Sequence, residues 1–117
     1  MSANVPAVSE ETAKPLGFHT SRLATVDLAA EIGALNGHVL RVSKTTIEPG
    51  GSYAAHSHQG RPEIIYVLEG TFTDERDGQE TNFGPGQVIQ MVNGVTHSIV
   101  NKTREPVTYI SVTVRIP

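Results

Sequence analysis

From Gly37 to the C-terminus, β-branched and apolar residues alternate with polar ones at a period of two, and turn-forming residues interrupt the alternation every few positions. Gly37 to Ile47, Tyr53 to His58, Glu63 to Glu69, Thr71 to Asp74, Glu80 to Phe83, Val88 to Met91, Ser98 to Asn101 and Val107 to Arg115 read as strands. Glu48-Pro49-Gly50-Gly51, Gln59-Gly60-Arg61-Pro62, Arg76-Asp77-Gly78-Gln79, Gly84-Pro85-Gly86 and Asn93-Gly94 read as turns, since Gly supplies positive φ and Pro presets the turn. Many short strands at this spacing predict an all-β antiparallel sandwich or barrel. Ahead of them, Thr25 to Ile32 offers a helical pattern that stops at Gly33, enough for about a single turn. Met1 to about Lys14 is polar and weakly patterned, and reads as an arm. The expected organisation is therefore an arm and short helical segment over 1–36 and a barrel domain over 37–117.

Period two also sorts faces. If Glu63 points inward, Ile65 and Val67 follow it, while Ile64, Tyr66 and Leu68 face out. Three apolar side chains in water are costly, so either a second subunit or the chain's own arm or helical segment is expected to cover them; a homodimer is the first reading. At 117 residues the chain suits one domain. It has no cysteine, which excludes thiolate metal sites and cysteine nucleophiles. A net charge of -3 without any basic run gives no footprint for nucleic acid or an anionic membrane. Ile64 to Leu68 is among the longest apolar runs, far too short to span a bilayer. The N-terminus lacks a basic region followed by an apolar stretch, so a cytoplasmic protein is expected.

The chemistry concentrates in four residues. His56 and His58 lie two apart on a predicted strand and share a face, with Cα atoms roughly 6 to 7 Å apart. The turn after them returns the chain at Glu63, and His97 follows in a second block. Three imidazoles and a carboxylate suit one divalent transition metal ion, whether Fe, Mn, Ni, Co, Cu or Zn. His19 and His38 have no such company and read as ordinary surface or strand residues.

The first block is Gly50-x5-His56-x-His58-x4-Glu63-x6-Gly70, and the second is Gly86-x5-Val92-x-Gly94-x2-His97-x3-Asn101. This resembles the two signature motifs of the cupin superfamily, with Val92 where the family usually has proline. The short spacing from Gly70 to Gly86 resembles that of small single-domain microbial cupins. The resemblance implies a jelly-roll barrel with metal ligands His56, His58, Glu63 and His97. It implies an enzyme on a small oxygenated organic substrate, with dioxygenase-type chemistry ahead of lyase, isomerase or decarboxylase chemistry. A non-catalytic module that binds a metal or ligand is the alternative.

Within that frame Glu63 is the candidate general base and Tyr53 the next. Arg61, the nearest cation to the ligands, is the candidate for holding a substrate carboxylate. Ile65 and Val67, joined by Ile89 or Met91, predict a pocket for a small chelating head on a weakly polar body.

Overall fold

The computed structural model describes residues 15–117. The arm expected at Met1 to Lys14 lies outside the described residues. Eight strands follow in chain order: β1 (Leu16–Asp27), β2 (Val39–Ser57), β3 (Glu63–Glu69), β4 (Phe72–Arg76), β5 (Gln79–Phe83), β6 (Val88–Met91), β7 (Thr96–Val100) and β8 (Val107–Arg115). They form an antiparallel sheet in the order β5-β4-β7-β2-β8-β3-β6, with β1 paired to β2. The result is the all-β, nearly closed jelly-roll barrel that the strand pattern and motifs predicted.

β2 makes this architecture by pairing with different strands along its length. Its first half, Val39 to Ile47, pairs with β8, and its end, Ser52 to Ser57, pairs with β7. The sequence read Glu48-Pro49-Gly50-Gly51 as a turn between two strands. The chain instead bends there without reversing, because Gly50 N–H donates to Asn101 O and Asn101 N–H donates to Gly51 O, continuing the ladder across the bend. A Cβ on Gly51 would sit 2.6 Å from Ile47 Cγ2 and 2.9 Å from two backbone oxygens, so only glycine fits the close approach. The motif asparagine closes the same corner: buried Asn101 donates from Nδ2 to Ile47 O at 3.2 Å and to Glu105 O at 2.8 Å.

The N-terminal segment differs from its helical reading. Thr25, Val26 and Asp27 end β1, paired with Arg41, Leu40 and Val39, and a 3-10 turn at Gly33–Leu35 is the helical element. A helix of eight residues is marginal alone, whereas β-branched Thr25 and Val26 gain a full ladder against the open edge of β2.

Inward side chains along β8 run Val107, Tyr109, Ser111, Thr113, Arg115, and those along β2 run Ile47, Thr45, Ser43, Arg41. The interior thus passes from hydrocarbon through hydroxyls to guanidinium. Ile47, Ile65, Val67, Phe72, Ile89, Met91, Ile99, Val107 and Tyr109 form the core at the apolar end, where Phe72 and Tyr109 meet edge to face at 5.3 Å. Outside, Ile64, Tyr66 and Leu68 are exposed, as the alternation of β3 predicted. No helix among the described residues is long and apolar enough to cross a membrane.

Candidate metal centre

The alternation of β2, continued one residue past its end at Ser57, brings His56 and His58 to the interior, and antiparallel pairing of His56 with His97 on β7 delivers the third imidazole. All three are buried. His97 Nε2 lies 3.0 Å from His58 Nε2 and 3.1 Å from His56 Nε2. Two nitrogens at right angles on an ion, each bonded at about 2.0 to 2.1 Å, stand roughly 2.9 Å apart, so the separations fit three neighbouring positions of an octahedron.

The opposite edge of each ring explains its orientation. His56 Nδ1 donates to Ala54 O at 2.8 Å, His58 Nδ1 donates to Arg61 O at 3.4 Å, and His97 Nδ1 donates to Asp74 Oδ1 at 2.5 Å. A carbonyl or carboxylate can only accept, so Nδ1 carries the proton and Nε2 presents its lone pair. Burial, followed by the charges of Arg61, His97 and His56, pushes the His58 pKa down to about 3, which keeps its ring neutral. Three lone pairs converging at 3.0 to 3.1 Å repel one another unless a cation sits among them. The donor set fits a divalent transition metal.

Tyr53 stacks on the His56 ring with centroids 3.9 Å apart, and Phe18 of β1 packs edge to face on Tyr53 at 5.7 Å. Together they clamp the His56 ring from the side. Glu63 stands next to the cluster rather than among the three nitrogens. Its Oε1 is 3.6 Å from His58 Nδ1, and its Oε2 accepts a hydrogen bond from Ser111 Oγ. Burial raises the Glu63 carboxyl above its ordinary pKa, against the opposing pull of Ser111, Arg61, His97 and Arg115. Arg61 turns one guanidinium nitrogen back to Ser57 O at 3.1 Å and lines the cavity.

That cavity, about 190 Å³, opens over the histidines. Ile65 lines it together with Ile99, whereas Val67, Ile89 and Met91 are buried in the core and do not line it. The remaining wall is mixed: Thr20, Ser43, Thr45, Ser111, Thr113, Arg41, Arg61 and Arg115 stand among Pro15, Phe18, Tyr53 and Tyr109.

Asp74 on β4 joins the histidine cluster through His97, and sequence reasoning did not single it out. It is 3% exposed, and its second oxygen accepts from Arg76 Nε at 2.7 Å while Arg76 Nη2 holds Gln90 O at 2.9 Å. Burial works to raise its carboxyl, but the His97 hydrogen bond and the Arg76 guanidinium outweigh it and hold the pKa below the ordinary value. A carboxylate behind a ligand imidazole fixes its tautomer and raises its basicity. Asp74→Asn is accordingly expected to lower metal affinity by about ten- to a hundredfold with the barrel still folded, as measured by competition with a chelator. Wild-type affinity in that variant would show that Asp74 does not support the site.

Comparison with known proteins agrees with this geometry. The family model for the cupin domain, Cupin_2, matches residues 43–113. The oxalate-binding protein of Thermotoga maritima is 30% identical over 81 residues, covering 68% of this chain and 65% of that protein. Germin-like protein 1 of Brassica napus is 28% identical over 91 residues, covering 74% of this chain and 44% of that protein. The chain therefore spans under half of the germin-like relative's length and just under two thirds of the oxalate-binding one's. Among solved structures, a predicted oxalate decarboxylase from Thermotoga maritima superposes with a TM-score of 0.66 at 22% identity, covering 84% of this chain and 80% of the other. The two-block motif, the jelly roll and the family match over most of the barrel agree: this chain belongs to the cupin domain family.

Proposed function

We propose that this protein is a metal-dependent enzyme acting on a small oxygenated organic acid. The ion is held by His56, His58 and His97, with Glu63 as fourth ligand once its carboxylate turns from Ser111. The observation that carries this reading is the convergence of three Nε2 lone pairs whose Nδ1 protons are all engaged elsewhere. A divalent ion held there would supply Lewis acidity toward the oxygens of a bound substrate.

The chain's own residues do the rest. The hydroxyl wall of Ser43, Thr45, Ser111 and Thr113 orients an oxygen-rich substrate, and Arg61 supplies positive charge at the cavity. Glu63, raised by burial and hydrogen-bonded through Oε2, takes a proton from the substrate in its role as base. Tyr53 braces His56.

Dioxygenase-type cleavage is the first reading of the reaction. Non-oxidative lyase or decarboxylase chemistry is the second, favoured by the guanidinium-lined cavity and by the likeness to the oxalate-binding protein. Metal-loaded protein incubated with a panel of small carboxylic acids, in air and under nitrogen, separates them. Consumption that stops with a chelator supports the enzyme, and its dependence on oxygen decides the chemistry. Tight binding without turnover of any acid would instead make the barrel a binding module.

The assembly proposed is a homodimer. Ile64, Tyr66 and Leu68 of β3, Val88 of β6 and Val112 of β8 are exposed on one outer face, and the pairs Ile64↔Val112 and Tyr66↔Val88 make it contiguous. Light scattering is expected to give about twice the 12.5 kDa chain mass. Ile64→Glu should return the monomer, and a monomeric wild type at all concentrations would exclude the dimer.

A further inference from the structure

Positive charge collects at one end of the barrel, where among the described residues Arg22, Arg41 and Arg115 form no ion pair. Arg41 and Arg115 line the cavity, and Arg22 of β1 lies close enough to repel Arg41. The ion pairs among the described residues are instead His19–Glu48, His58–Glu63, Arg76–Asp74, His97–Asp74 and Lys102–Glu80. Arg41 Nε is buried and has no hydrogen-bond partner among the described residues. Leaving a buried guanidinium N–H unpaired among like charges costs stability, and proteins keep such costs mainly where a ligand removes them.

Strand register places this cluster beside the metal centre. Glu63 pairs with Thr113, and Thr113 pairs with Arg41, so Arg41 stands two strands across from Glu63, about 10 Å along the sheet. Arg115 is the next inward position beyond Thr113. Burial first, then the charges of Arg22 and Arg115, lowers the Arg41 pKa from its ordinary value, in keeping with a group held among cations. Glu63, the carboxylate that lines the cavity among the described residues, is engaged with Ser111 and His58.

We propose that Arg41 and Arg115, with Arg22 behind them, form an anion subsite that takes a second carboxylate of the substrate, so that the ligand is a small dicarboxylic acid. One acid group meets the metal and the other meets the guanidiniums, with hydroxyls of Ser43 and Thr113 between. This rests on the metal-centre reading above and narrows its substrate class from acids to diacids. Arg41 lines the cavity, and the planar guanidinium fork suits a two-point bond to a carboxylate.

The test uses dicarboxylates of two to five carbons, oxalate to glutarate, each against its monoamide, which keeps the length and loses one charge. Affinities are measured calorimetrically on wild type, Arg41→Gln and Arg115→Gln, each with and without metal. The expected result is a diacid bound at least about tenfold more tightly than its monoamide, with that preference lost in both variants. Arg115→Gln guards against a folding defect in Arg41→Gln, because Arg115 stands near the end of its strand. A diacid preference absent from wild type, or surviving both substitutions, overturns the subsite. Binding strengthened by metal with no dependence on either arginine overturns the subsite while leaving the metal reading intact. An arginine-dependent preference indifferent to metal supports the subsite and tells against the metal reading.

Discussion

Replacing His56 and His58 together by alanine is expected to reduce bound metal from about one ion per chain to a trace, with the barrel still folding cooperatively. The fold does not depend on these rings, because its apolar core lies at the other end, around Phe72, Tyr109, Ile47 and Val107. Undiminished metal in the double variant would remove the basis of the assignment. The same variant carries a second signature, in pH. His58 has a folded pKa of about 3 against about 6.5 in the unfolded chain. Between those values the unfolded state takes up a proton that the folded state refuses, so stability falls as pH drops through that window and is independent of this group above it. Metal-free wild type should therefore lose on the order of 2 kcal/mol from this group between pH 7 and 4.5, and the variant should not. Denaturant midpoints at the two pH values measure the difference.

Glu63→Gln should have the second largest effect, abolishing turnover on an identified acid while lowering metal affinity more modestly. The amide keeps the size of the side chain and can still accept from Ser111 Oγ, but it cannot take a proton or carry a charge. Glu63 is largely shielded from solvent and burial raises its carboxyl above the ordinary value, which makes its ionised form a stronger base than a solvated carboxylate. Single-turnover measurements on metal-loaded variant protein separate the two roles. Full activity would leave Glu63 as a ligand alone, or as neither, and would turn the search for a base to Tyr53.

The three-histidine cluster was legible because its spacing is local. His56 and His58 are two apart on one strand, glycines bound the block, and His97 sits in a second block with its own glycines and asparagine. The inward phase of β3 was equally local, and the exposure of Ile64, Tyr66 and Leu68 follows from it. What was not legible depends on which strands become neighbours. Asp74 reaches His97 only because β4 lies beside β7, and nothing in Phe72-Thr73-Asp74-Glu75-Arg76 marks that aspartate as different from a solvated one.

The polar wall of the cavity is an intermediate case. Arg41, Ser43 and Thr45 share the phase of Ile47, and Ser111, Thr113 and Arg115 share that of Tyr109, so both runs could have been placed inside once their strands' inward phase was known. Reading the pocket from Ile65, Val67, Ile89 and Met91 alone led to an apolar body for the substrate, whereas only Ile65 of these lines the cavity. β1 was hidden for a different reason: it lies on the outer edge, mostly exposed, and its strand character comes from the partner it finds in β2.

The measurement closest to the central claim is elemental analysis of protein purified without added metal, followed by X-ray absorption at the edge of the metal found. One transition metal ion per chain, with scattering from three imidazole nitrogens at about 2.0 to 2.2 Å, is the predicted result. Metal-free protein that also fails to take up any divalent ion stoichiometrically, or a bound ion without imidazole scattering, would contradict it.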